Sequence, residues 1–113
     1  MDCIFCGIVD RSLPTELIYE GEQIVAFRDI TPQAPTHVLI VPREHVESVA
    51  DLNETHTAVL GEMFLAANAI ARQEGIGESG YRLVFNCGRA AGQSVDHLHL
   101  HLLGGRKLGW PPG

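Results

Sequence analysis

The stretch "DHLHLHLLGG", residues 96–105, decides how this chain is read, because His97, His99 and His101 alternate in it with Leu98, Leu100 and Leu102. Alternation with a period of two is the pattern of a β-strand, whose successive side chains point to opposite faces. The leucines then face a core, and the histidines form a stripe on the other side, with neighbours about 7 Å apart at Cα. Three imidazoles so spaced can surround one tetrahedral anion or one metal ion. The stripe holds half of the six histidines, where a merely solvated face would use Lys, Glu or Thr. Two chemistries fit it: a metal cage, or acid, base and nucleophile work on a group that an imidazole can attack. The preceding "GQSVDH", 92–97, favours the second, since Gly92 and Ser94 supply backbone N–H groups and a hydroxyl of the kind that cradles phosphate oxygens.

The rest of the chain supplies the frame for this strand. With 113 residues, 45% of them hydrophobic and 19% charged, residues 1–113 are expected to form a single domain around one core. The tail 104–113, "GGRKLGWPPG", is expected to be extended. No apolar run approaches the roughly 20 residues of a membrane span, and "MDCIFCGIVDRS" lacks the basic and apolar regions of a leader. The expected compartment is the cytoplasm, with no membrane partner. A net charge of −6 with scattered Lys and Arg argues against nucleic acid as a partner. Three cysteines do not make a disulfide framework, which leaves metal ligation or buried thiols.

Residues 3–11 suit a short helix ended before Pro14. "ELIYE", 16–20, and "IVAFRD", 24–29, suit a hairpin closed at Gly21 and Glu22. "HVLIVP", 37–42, is apolar enough for a central strand. From Asn53 as N-cap to Gly75 as stop, Val59, Met63, Ala66, Ala67, Ile70 and Ala71 recur at helical spacing, with His56 expected to be solvated on the first turn. "YRLVFN", 81–86, and "HLHLHLL", 97–103, complete the strands. The expectation is an α+β fold: a five-stranded antiparallel sheet with one long helix on a face and a short N-terminal helix.

"HLHLHLL" also resembles the signature of the histidine triad superfamily, and the likeness runs through "IFCGI", "YEGEQIVAFRDITPQAPTHVLIVPREH", "GYRLVFN", "AGQS" and "LGGRKLGWPPG". The "QAPTH" loop and "WPPG" tail make it similar to the Hint branch in particular, the purine nucleoside phosphoramidases. The resemblance implies a nucleoside 5′-phosphoramidate hydrolase that releases AMP or GMP from an amine through a nucleotidyl-histidine. Position by position it implies His99 as nucleophile, His101 at the α-phosphate, His97 and His37 as orienting partners, and Ser94, Gln93 and Asn86 at the phosphate or leaving group. It implies Asp29 at the ribose and Phe5, Ile4, Ile8, Phe27 and Leu13 around the base. For Ile8 and Leu13, core and base pocket both remain open. It implies no cofactor for catalysis, and a homodimer in which two sheets join and one subunit's tail, with Trp110, approaches the other's site. The dinucleoside-polyphosphate hydrolases of the same superfamily, a nucleotide-binding interaction module and a zinc-dependent structural protein are the alternatives.

Asp96 departs from that branch, where a bulky apolar residue is usual. By alternation it joins the leucine face, at the rim or at a cost to packing. Ala90, Ala91 and Cys87 also depart and bear on loop positioning. Cys3 and Cys6 form a C-x2-C pair. The resemblance to zinc-holding bacterial relatives implies structural zinc on Cys3, Cys6, His45 and His97, and two buried thiols beside a surface His45 is the other reading.

Overall fold

The computed structural model describes residues 3–113. A short helix α1, Ile4–Val9, is followed by strands β1 (Tyr19–Glu20), β2 (Ile24–Arg28) and β3 (Thr36–Pro42), a long helix α2 (Thr57–Gln73), and strands β4 (Tyr81–Val84) and β5 (Leu100–Gly104). They form one antiparallel sheet in the order β1-β2-β3-β5-β4, so the last strand inserts between the third and fourth. The α+β expectation holds. No helix of the described residues is long and apolar enough to cross a membrane.

Both faces of the sheet are covered. Ile24, Ala26, Val38, Ile40, Leu98, Leu100 and Leu102 pack under Val59, Met63, Ala66, Ala67, Ile70 and Ala71 of α2. The alternate residues Val25, Phe27, Leu39 and Val41 form a second cluster with Phe5 and Ile8 of α1. This is why "HVLIVP" lacks a polar face: its strand lies between two layers. Toward β2 and β3 the face opposite the leucines is therefore an interior one, with His97 fully buried and His99 nearly so, while His101 and Leu103 farther along β5 are half-buried.

α2 ends in a Schellman cap. Ile76 N donates to Ala71 O (3.0 Å) and Gly75 N to Arg72 O (3.2 Å), Gly75 has φ +76°, and Ile76 returns to the core. Gly75→Ala is expected to lower stability by about 1 kcal/mol, because a Cβ is disfavoured at positive φ. A denaturant midpoint unchanged from the parent would refute this.

Several boundaries differ from expectation. β1 has two residues rather than five, and β4 ends at Val84. Asn53 caps a 3-10 turn, Glu54–His56, that runs into α2. His56 is buried, not solvated: its Nδ1 accepts from Asn53 N at 3.0 Å, closing a reciprocal cap in which histidine takes the place of the usual Glu or Gln. Asp96 is exposed and paired with Arg89 at 3.0 Å, so it sits at the rim without a packing cost. Gly104 still pairs with Thr36 and Tyr81, and the tail begins at Gly105.

Candidate active site

The ladder of β5 begins at Leu100, so His97 and His99 lie just before the strand rather than in it. Their alternation survives: Leu98, with its N–H on Val46 O at 2.6 Å, still enters the core under α2. His101 lies opposite Leu39, and this places it on the α1 face beside His37, two residues from Leu39 along β3.

The hydrogen-bond partners fix each tautomer. Gln33 N donates to His37 Nδ1 at 3.0 Å, so neutral His37 carries its proton on Nε2. That Nε2 is 2.9 Å from His101 Nδ1 and 3.4 Å from Asp29 Oδ2. His101 must then hold its own proton on Nε2, the one buried side-chain polar atom among the described residues without a partner. An orphaned buried donor costs about 1–3 kcal/mol, and a bound acceptor would recover that. His99 faces the other way: its Nδ1 donates to His97 O at 2.7 Å, which leaves the Nε2 lone pair free. Phe5 packs edge-on against the His99 ring at 5.1 Å, and His101 lies edge-on to it at 5.0 Å. A lone pair thus stands next to an N–H donor, the pairing that attack on phosphorus needs.

Burial keeps His37 and His101 neutral. It lowers the pKa of His37, against the pull of Asp29. It lowers that of His101 to about 4, helped by repulsion from His99 and His37. The unfolded chain, with histidine near 6.5, binds protons that the fold refuses, so stability is complete above that value and falls as pH drops from about 6.5 toward 4. His101 alone contributes about 3 kcal/mol of that loss. His101→Gln is expected to flatten the acid limb of a stability-against-pH curve, and an unchanged limb would rule this out.

His37, His101 and Asn86 line a recess of about 510 Å³ together with Gln33, Arg82 and Arg106, and with Leu108, Pro112 and Gly113 from the tail of the same chain. Arg82 donates to Gly109 O at 2.8 Å, and Arg106 forks onto Gln33 O at 3.1 and 2.9 Å. Sequence reading passed over both arginines, although in "YRLVFN" the alternation puts Arg82 on the histidine face. Trp110 is 84% exposed.

The remaining residues fall into three settings. Phe5, Ile8 and Phe27 are buried in the second core cluster, whereas Ile4 and Leu13 are exposed. Asp29 Oδ1 accepts from Thr31 N and Oγ1, at 2.9 and 3.1 Å. Gln93 does not offer a free amide: its Nε2 donates to Glu47 O and Val95 O, and its Oε1 accepts from Gly88 N, so it braces the loop before the stripe. Ser94 is exposed in a neighbouring recess of about 400 Å³ with Cys3, Ile4, His45 and Glu47, apart from the recess that holds His101.

That second recess borders a group of metal-ligating side chains. His97 Nε2 donates to Pro42 O at 2.9 Å, which turns its Nδ1 lone pair toward Cys3 Sγ (3.2 Å) and Cys6 Sγ (3.6 Å), while His45 Nδ1 is 3.2 Å from Cys6 Sγ. All four donors lie within 4.8 Å of one another. Two sulfurs and two imidazole nitrogens at such separations match the donor set and tetrahedral edges of a zinc site. The structure therefore brings together all four residues named for this role.

Comparison with known proteins agrees with the geometry. Residues 2–108 match the family model described as scavenger mRNA decapping enzyme C-term binding. A purine nucleoside phosphoramidase of Escherichia coli is 49% identical over 96% of this chain and 91% of its own. A 14 kDa zinc-binding protein of Zea mays is 47% identical over 97% and 87%. The crystal structure of a HIT family hydrolase from Legionella pneumophila superposes with a TM-score of 0.96 at 47% identity, covering 99% of this chain and 100% of that one. With His97 and His99 buried, His101 half-buried beside them, and relatives of this kind, the chain belongs to the histidine triad superfamily, in its Hint branch.

Proposed function

We propose that this chain is a nucleoside 5′-phosphoramidate hydrolase that releases AMP or GMP from an amine. The observation that carries the reading is the opposed orientation of two neighbouring imidazoles: a free Nε2 lone pair on His99 and an unpartnered Nε2–H on His101. In the first step His99 Nε2 bonds to phosphorus and the P–N bond to the amine breaks, the amine taking up a proton from solvent as it leaves. The positive charge left on His99 is stabilised at Nδ1–H by His97 O. In the second step water attacks phosphorus and gives up a proton to solvent, the P–Nε2 bond breaks and the nucleotide departs. Neutral His101 donates to a phosphate oxygen throughout, and His37, tied to Gln33 and Asp29, keeps it in the donating tautomer.

Asn86 at the recess wall and exposed Ser94 complete the phosphate and leaving-group side, with Gln93 positioning the loop that carries Ser94. Phe5 and Phe27 back the base, Ile4 and Leu13 form its exposed edge, and Asp29 meets the ribose. Cys3, Cys6, His45 and His97 would hold zinc, which supplies a structural cross-link between α1 and the start of the stripe. The donor set and the zinc-binding maize relative support this. A homodimer joined through the β4 edge suits the half-buried β4 and the exposed Phe64 of α2, whose ring packs against Phe85 just after β4.

The test is AMP release from adenosine 5′-phosphoramidate by purified protein, alongside a dinucleoside tetraphosphate. Preference for the phosphoramidate is the expected result. Preference for the dinucleotide would move the assignment to that hydrolase branch. AMP binding without turnover of either substrate would mark a nucleotide-binding interaction module.

A further inference from the structure

The orientation of His99 rests on a single hydrogen bond to the carbonyl oxygen of His97. If that carbonyl moved, Nδ1 would lose its acceptor, the proton could pass to Nε2, and the Nε2 lone pair would be lost. The sheet does not hold this carbonyl in place. β5 begins at Leu100, and across residues 97–99 the one backbone bond to a neighbouring segment is that of Leu98 N to Val46 O.

The His97 side chain is held instead. It has no exposed surface, its Nε2 is tied to Pro42 O, and its Nδ1 faces Cys3 and Cys6. The His45 ring stands edge-on to it, with centroids 4.9 Å apart. The same cysteines frame α1: Cys3 is its N-cap, its sulfur accepting from Cys6 N at 3.3 Å. Between them in sequence stands Phe5, whose ring packs edge-on against both His97 (5.9 Å) and His99 (5.1 Å). A helix of six residues has little stability of its own. The cluster therefore anchors both the wall behind the nucleophile and the carbonyl that sets its tautomer.

We propose that Cys3, Cys6 and His45 are positioning residues for the His99 nucleophile, acting through His97 and Phe5 when the four ligands share a metal ion such as zinc. The inference rests on His99 being the nucleophile, as proposed above. It assigns the cluster a role in the chemistry beyond stabilising the fold, comparable to the outer residues that orient a reacting group. The recess lined by His37, His101 and Asn86 does not include these residues, so binding and chemistry should separate.

The experiment uses protein purified without a histidine tag, with zinc content measured, and compares the parent with His45→Ala and Cys6→Ser. Exposed His45 can be removed with little loss of packing. Two readouts are taken: the 15N chemical shifts of the His99 ring, which report its tautomer, and kcat and KM for adenosine 5′-phosphoramidate. Expected are about one zinc per parent chain and a single Nδ1–H tautomer. Each variant should lose zinc, show a mixed His99 tautomer, and lose about tenfold or more in kcat with KM changed by less than about twofold. Zinc-depleted variants that keep a pure Nδ1–H tautomer and parental kcat would overturn the proposal, as would a parent with less than about a tenth of an equivalent of zinc. If the parent shows no turnover, the hydrolase reading fails by itself. The 15N shifts then still decide whether the cluster sets the tautomer.

Discussion

His99→Ala is expected to lose phosphoramidate turnover by a factor on the order of 10⁴ to 10⁶, the range seen when a covalent nucleophile is removed. Nothing nearby can replace it. The His101 Nδ1 lone pair is taken by His37, and the single proton of its neutral ring is on Nε2, so that ring presents a donor where attack needs an acceptor. The His97 Nδ1 lone pair points to Cys3 and Cys6, away from the recess. Binding of AMP should persist, because His37, His101 and Asn86 still line the recess. Single-turnover AMP release, with acid-quenched labelled substrate to detect a nucleotide bound to protein, measures both effects. A variant that keeps more than about a hundredth of parental turnover would remove His99 from the nucleophile's role.

Leu102→Ala is expected to cost about 2–5 kcal/mol, a large share of the roughly 5–15 kcal/mol that holds a domain of this size. Leu102 is fully buried on the central strand β5, opposite Val38 on one side and Leu83 on the other, beneath α2. The methylenes lost leave a cavity that two flanking strands and a helix cannot easily close. Its side chain points away from the histidines, so the fraction still folded should turn over substrate at nearly the parental rate. Chemical denaturation gives the stability, and activity corrected for folded fraction gives the rest. A loss below about 1 kcal/mol would contradict the packing described here.

These two predictions concern the two faces of one extended segment, which the sequence already distinguished. The period of two assigned Leu98, Leu100 and Leu102 to the core and the histidines to the other side. The assignment held although only the segment from Leu100 onward is hydrogen-bonded as strand. The helical spacing in α2 and the glycine that ends it were equally legible, because both depend on residues a few positions apart. His56 was misread for a local reason: a histidine in the third position of a cap resembles a solvated residue until its ring is seen to accept from Asn53. Asp96 was uncertain because its partner Arg89 belongs to a loop whose course no period describes.

Alternation, helical spacing, caps and the C-x2-C pair thus determined by themselves the order of the main elements, the opposite faces of the leucines and histidines, and the residue types available for chemistry. Tertiary structure decided which of those residues meet. Inserting β5 between β3 and β4 brings His37 to 2.9 Å from His101 across 64 positions of chain, and Cys3 to 3.2 Å from His97 across 94. Each imidazole's proton is then placed by what the ring touches: a Gln33 N–H, a Pro42 carbonyl, a His97 carbonyl. The physical reason is that local backbone geometry depends on neighbours in sequence, whereas a tautomer and a lowered pKa depend on neighbours in space.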